Sequence, residues 1–161
     1  MVARCDFEAT LFQQLLTILK GEALPKTGPA DLREAVAVLL LEAAHRDDTF
    51  SPEERAVVVQ LLRSRFHLSE AECHDLIAAT EKANADIVQL HPYTRAIAEQ
   101  MEPAARIELI EMLWDVAYAD GVLDPEEDAL IRRIGSLIYV TDRDRVLARH
   151  RVLARLGLSA S

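Results

Sequence analysis

The sequence predicts an all-α protein, a single compact helical domain of about seven to eight helices. Apolar residues recur at helical spacing along almost the whole chain, and no segment shows the sustained alternation bounded by hairpin turns that strands require. Ser, Thr or Asp followed three positions later by Glu or Asp marks several helix starts. At 161 residues, of which 50% are hydrophobic and 28% charged, the chain is long enough to bury one core.

The first predicted helix lies in residues 1–21 and ends at Gly21. Residues 22–30 hold two prolines and a glycine, which predicts a loop. The following segment, 31–47, is apolar on most sides and is expected to be central. The apolar positions of the first helix are Phe7, Leu11, Leu15, Ile18 and Leu19.

Two capped helices are predicted next. Ser51 is the N-cap of the first, with Pro52 at the first helical position and Glu54 at the third, which is a capping box. Ser69 and Glu72 repeat this arrangement at the start of the second helix.

The second part of the chain follows the same pattern. After His91 and Pro92, a shorter helix is predicted to begin at Tyr93 and to end before Pro103, where a second strongly apolar helix begins. The remaining two helices are marked by capping boxes, Asp124 with Glu127 and Thr141 with Asp144, and Gly157 is the expected C-cap.

An internal duplication organises this pattern. His45–Arg55 and Tyr118–Asp128 align without a gap at an offset of 73 residues, and in each an Asp is followed five residues later by Pro-Glu-Glu. We therefore predict one domain over 1–161, with repeat halves at about 30–85 and 103–157 and an additional N-terminal helix over 1–21. Such halves could pack around an approximate twofold axis.

The acidic turns are either helix caps or cation sites. Capping alone explains Asp124 and Glu127, and a turn with positive φ explains Gly121. Asp120 is explained less well, because an acid at a helix C-terminus faces the negative end of the macrodipole. It could turn toward the amides that start the next helix, or join helix-end carbonyls around a cation.

The second acidic turn partly matches the calcium-binding loop of an EF-hand. With Asp120 at loop position 5, Gly121, Asp124 and Glu127 fall at positions 6, 9 and 12, as the loop requires. Positions 1 and 3 are Val116 and Tyr118, which offer no side-chain ligand of the expected type. An orthodox EF-hand is excluded, and a partial, weak site for Ca²⁺ or another divalent cation is predicted. Its ligands across the two turns would be Asp47, Asp48, Glu54, Asp120, Asp124 and Glu127.

The charge distribution suggests two surfaces for a protein partner. The net charge of −9 argues against nucleic-acid binding. Residues 129–161 nevertheless carry +5 and the remainder −14. A partner is expected at the acidic turns or at the arginine-rich C-terminal helix. The two cysteines predict free thiols in a reducing, cytoplasmic compartment, and no apolar run is long enough for membrane insertion.

These motifs together resemble the TerB-like tellurite-resistance family. The stretch "AYADGVLDPEED" places Ala119, Asp120, Gly121, Asp124 and Glu127 at the family's positions. The first copy matches at Asp47 and Glu54 but has Asp48 in place of Gly. The resemblance covers roughly residues 30–156. It implies a helical domain without known catalytic groups, associated with tellurite and chemical stress, with cation binding proposed at the acidic motif.

The function predicted is a non-catalytic stress-response domain that acts as a protein-interaction module, with weak cation binding at the turns. The alternative is a metal-dependent hydrolase that uses the clustered carboxylates. None of the five histidines lies in a recognisable ligand or triad motif, and the Glu-x-x-His pairs of di-metal helical bundles are absent. We therefore predict no catalytic residues and no bound organic cofactor.

Overall fold

The computed structural model describes residues 31–44, 51–83 and 89–159. These residues form seven α-helices and contain no strand, which confirms the predicted all-α class. The N-terminal helix predicted over 1–21 and the first acidic turn, with Asp47 and Asp48, lie outside the described residues. The helices are α1 (Leu32–Ala44), α2 (Pro52–Phe66), α3 (Glu70–Ala83), α4 (Leu90–Gln100), α5 (Pro103–Ala117), α6 (Pro125–Leu137) and α7 (Asp142–Leu156).

Helices α1 and α5 form the centre of the domain. Helix α1 packs against α2, α3, α4, α5 and α6, and α5 packs against α1, α2, α6 and α7. Nine of the thirteen residues of α1 are buried, as expected from its apolar composition. Trp114 of α5 is fully buried, and its indole Nε1 donates a hydrogen bond to the Arg145 carbonyl oxygen at 3.3 Å.

The helix contacts follow the internal repeat. Helices α1, α2 and α3 pack against one another, and so do α5, α6 and α7. Between the halves, α1 packs on α5, and the contact of α2 with α5 has its counterpart in the contact of α6 with α1. This exchange of partners is the pattern that a twofold arrangement of duplicated halves produces.

The predicted capping boxes differ in how completely they form. The boxes at Ser51 and Ser69 have both hydrogen bonds, from side chain to backbone in each direction. The bonds from Ser69 lower the pKa of the Glu72 carboxyl. At Thr141, the Asp144 amide donates to the hydroxyl, but the hydroxyl itself donates to the Asp144 carboxylate at 2.7 Å. Asp is one methylene shorter than Glu, so its carboxylate stops at the hydroxyl.

Helix α4 begins earlier than predicted. The sequence predicts a start at Tyr93, after His91 and Pro92, but the helix begins at Leu90. Pro92 falls in the first turn, where its missing N–H would have had no partner within the helix. A proline in the first turn was therefore misread as a break.

Two non-glycine residues, His67 and Tyr139, have positive φ among the described residues, at 54° and 60°. They occupy the same place in the two halves, two residues before the N-caps Ser69 and Thr141. Glycine is the residue that usually ends a helix this way. At Tyr139 the turn is closed by a hydrogen bond from the Val140 amide to the Gly135 carbonyl at 2.9 Å.

Candidate functional site

The turn between α5 and α6 is built on a left-handed glycine. The Gly121 amide donates to the Tyr118 carbonyl at 2.9 Å, and Gly121 has φ +83°. A Cβ added at this position would have no heavy atom within 4 Å. The backbone conformation, and not a lack of space, is therefore what favours glycine here.

Asp120 is exposed, and its carboxylate closes the same turn. Its Oδ1 accepts a hydrogen bond from the Val122 amide at 3.0 Å. The sequence had suggested contact with the amides of the next helix start. The structure instead shows a local turn, in which an Asp side chain binds its own backbone two residues further on.

Asp124 and Glu127 form the predicted cap of α6. The Glu126 amide donates to Asp124 Oδ1 at 2.7 Å, and the Asp124 amide donates to Glu127 Oε2 at 3.0 Å. Glu127 is only 7% exposed, so this carboxylate lies between the helix start and the core. The capping interpretation of these two residues is confirmed.

The structure brings together three of the six predicted cation ligands. Asp120, Asp124 and Glu127 lie within this one turn and the first turn of α6. Glu54 is at the start of α2, where it accepts a hydrogen bond from the Ser51 amide at 3.0 Å. Glu54 and Glu127 thus perform the same capping role in the two halves.

Within the described ranges, no group of three or more His, Cys, Asp and Glu side chains is arranged to hold a metal ion. At the second turn, Glu127 Oε2 is directed to the Asp124 amide and Asp120 Oδ1 to the Val122 amide. Cation binding there would require these carboxylates to turn or to use their second oxygens. The cation site stays a prediction.

The comparison with known families bears on both turns. The family model described as tellurite resistance protein TerB matches residues 33–150, a span from the start of α1 to the middle of α7. The chain belongs to the TerB family. No curated protein and no solved structure matches it.

An arginine of α7 contacts the end of α5 behind the acidic turn of this TerB domain. Arg149 Nε donates to the Tyr118 hydroxyl at 2.7 Å. Its guanidinium lies over the rings of Trp114 and Tyr118, 5.4 Å and 5.8 Å from their centroids. Sequence reasoning assigned Trp114 and Tyr118 to the core, which is confirmed, but it missed Arg149. No short-range pattern connects residues 31 positions apart.

Other arginines of α7 also pair with acidic residues of the same domain. Arg155 contacts both carboxylate oxygens of Asp115, at 2.7 and 2.8 Å, and Arg151 Nε lies 2.5 Å from Glu111. Arg145 is 8% exposed and pairs with Asp142 at the helix start. Three arginines of the predicted basic surface, Arg149, Arg151 and Arg155, therefore face α5 and its C-terminal end.

None of the helices described here is both long and apolar enough to cross a membrane.

Proposed function

We propose that this TerB domain is a non-catalytic interaction module of a stress response, and that it binds a basic protein partner through the α5–α6 turn. One observation carries the proposal. Val122 stands at the tip of this turn with 65% of its surface exposed. It lies between Asp120 and Asp124, so an apolar side chain is presented among carboxylates.

This arrangement suits a partner with an apolar pocket rimmed by Lys or Arg. Opposite charges across an interface guide association and fix orientation, while a desolvated apolar anchor supplies binding energy. The turn is held by the hydrogen bonds of Gly121, Asp120 and the α6 cap. Little conformational entropy would be lost when a partner binds it. The arginines of α7 are a weaker candidate, since several already pair with α5.

Single substitutions of exposed residues test the interaction. Val122→Ser should abolish retention of a partner from cell extract, and Asp120→Lys should weaken it in a salt-dependent way. Val146→Ser is the matched control, because Val146 is also exposed, at 39%, but lies on α7. Equal retention by wild type and Val122→Ser would contradict the proposal.

Weak cation binding at the same turn is the second part of the proposal. Asp120, Asp124 and Glu127 would supply too few ligands for a tight site, so a Kd of roughly 10⁻⁴–10⁻³ M is expected, as for loose calcium sites. A cation that binds only the folded form raises Tm. Calcium should therefore raise Tm above that in sodium chloride of equal ionic strength, and Asp120→Asn should remove the difference.

The hydrolase alternative is tested separately. Metal-dependent hydrolysis needs a bound metal with an open coordination position. The protein loaded with calcium, magnesium, manganese or zinc can be screened against phosphate and carboxylic esters. Turnover that disappears in Asp120→Asn would replace the interaction module with an enzyme.

A further inference from the structure

An open groove runs between α2 and α3, on the opposite half of the domain from the α5–α6 turn. Its floor is apolar, and its rim carries two arginines, Arg55 and Arg63, against one acid, Glu70. Val59 and Leu68 on the floor are half-buried, and no described residue forms an ion pair with Arg63 on the rim. The residues that matter here are Arg55, Ala56, Val59, Arg63, Leu68 and His74.

We propose that this groove is the docking site of the chain's own N-terminal segment, residues 6–20. The segment precedes the matched family region, which begins at residue 33. Its sequence predicts a helix with one apolar face. A single helix of this length is marginal in water unless that face is covered. The apolar face consists of Phe7, Leu11, Leu15 and Ile18.

Charge complementarity favours this seat. Asp6 and Glu8 flank Phe7 at the start of the predicted helix. In the groove, Arg63 and Arg55 flank Val59, and Arg55 also pairs with Glu81 at 3.5 Å. The acidic end of the apolar stripe would therefore meet an apolar floor with arginines on its rim. Partly buried pairs of this kind add orientation to the burial of apolar surface.

The connection is long enough. The described chain begins at Asp31, immediately before α1, and α1 packs against both α2 and α3. The segment therefore joins the domain at a helix that contacts both helices of the groove. Residues 21–30 can span up to about 35 Å when extended, which exceeds the length of a groove bordered by a fifteen-residue helix.

The internal repeat indicates one competing seat, that is, a second position where the N-terminal segment could dock. Helix α4 precedes α5 and packs on α1 and α6, so the matching position for a helix before α1 is on α5 and α2. That groove contains the apolar residues Leu61 and Met112, and its three carboxylates, Glu108, Glu111 and Asp115, outnumber its two arginines, Arg65 and Arg155. Glu111 and Asp115 already pair with arginines of α7. An apolar helix would desolvate these charges, and Asp6 and Glu8 would add repulsion.

A nitroxide on Cys5 tests the docking. Cys73 is buried, so Cys5 is the thiol to label in the folded protein, and Cys73→Ala provides a second background. The amides of Val59, Arg63 and His74 should show the largest loss of NMR signal. The loss should decrease in Arg63→Glu and return when Asp6→Arg is added. Arg143→Glu, which reverses an exposed arginine on α7, should leave the loss unchanged.

Three results would overturn the proposal. Signal loss centred on Glu108 and Asp115 would place the segment on the competing seat. Loss spread evenly over the domain would show no docking. Loss that appears when labelled protein is mixed with an isotope-enriched, unlabelled copy, and disappears on dilution, would assign the groove to a second molecule.

Discussion

At the residue scale, the acidic turn depends on backbone conformation as much as on charge. Gly121 provides positive φ, Asp120 accepts a hydrogen bond two residues further on, and Val122 is left exposed as a result. The carboxylates of the turn are therefore structural groups first. Any partner or cation would have to use a conformation that the chain already adopts by itself.

Substitution of Gly121 should reveal this backbone requirement. Gly121→Ala should lower the free energy of unfolding by about 1 kcal/mol, because an L-residue in the left-handed region is strained even where space is open. Gly121→Asn should cost less, since Asn tolerates this conformation. Urea denaturation measures both variants, and equal stability of Gly121→Ala and wild type would refute the strain argument.

Cys73 gives a second prediction at this scale. The thiol is buried, and burial raises its pKa. Because the thiolate is the reactive form, Cys73 should resist iodoacetamide at neutral pH in the folded protein and react after denaturation. Mass spectrometry of tryptic peptides distinguishes the two cysteines. Rapid native modification of Cys73 would show that its helix opens readily.

At the element scale, the helix starts account for most of the acidic motif in both halves. Ser51 with Glu54 and Asp124 with Glu127 are equivalent boxes, and each satisfies amides that the helix leaves unpaired. The family motif and the capping motif therefore share residues. A protein could retain the acids for folding even where no ligand binds.

Loss of an N-cap should be measurable in each half. Ser51→Ala and Asp124→Ala should each lower the free energy of unfolding by about 1 kcal/mol. Ser64→Ala is the control in the same helix as Ser51, and it should be neutral or stabilising because Ala has the higher helix propensity. If Ser51→Ala behaves like Ser64→Ala in guanidinium denaturation, the box contributes no stability.

At the scale of the whole molecule, two acid-rich halves are packed around α1 and α5, and the arginines of α7 neutralise part of the negative charge on α5. The net charge nevertheless remains −9. Like charges in a compact state repel, whereas exposed ion pairs such as Arg95 with Glu99 contribute little. Repulsion should therefore dominate the response to salt.

Raising sodium chloride from about 0.02 M to about 0.2 M should increase Tm, because the Debye length falls below the spacing of most surface charges. Calorimetry in sodium chloride and in sodium sulfate of equal ionic strength separates screening from specific ion effects. A fall in Tm with sodium chloride would mean that the surface ion pairs outweigh the repulsion.

Much of this architecture was readable from local patterns. Apolar spacing, N-caps and the repeated Pro-Glu-Glu each depend on residues within a few positions of one another, so the all-α class and the caps at Ser51 and Asp124 followed from the sequence. Local patterns failed at the start of α4, where Pro92 could be either a break or a first-turn residue.

The tertiary structure decided what depends on distant residues. The contact of Arg149 with Tyr118, the pairing of Arg155 with Asp115, and the exposure of Val122 join or separate groups that no local period relates. Composition showed a basic C-terminal region but not where its charges point. Because charge neutralisation acts across space between packed helices, only the fold could show that several α7 arginines face α5 and that Asp120 and Val122 of the acidic turn are exposed.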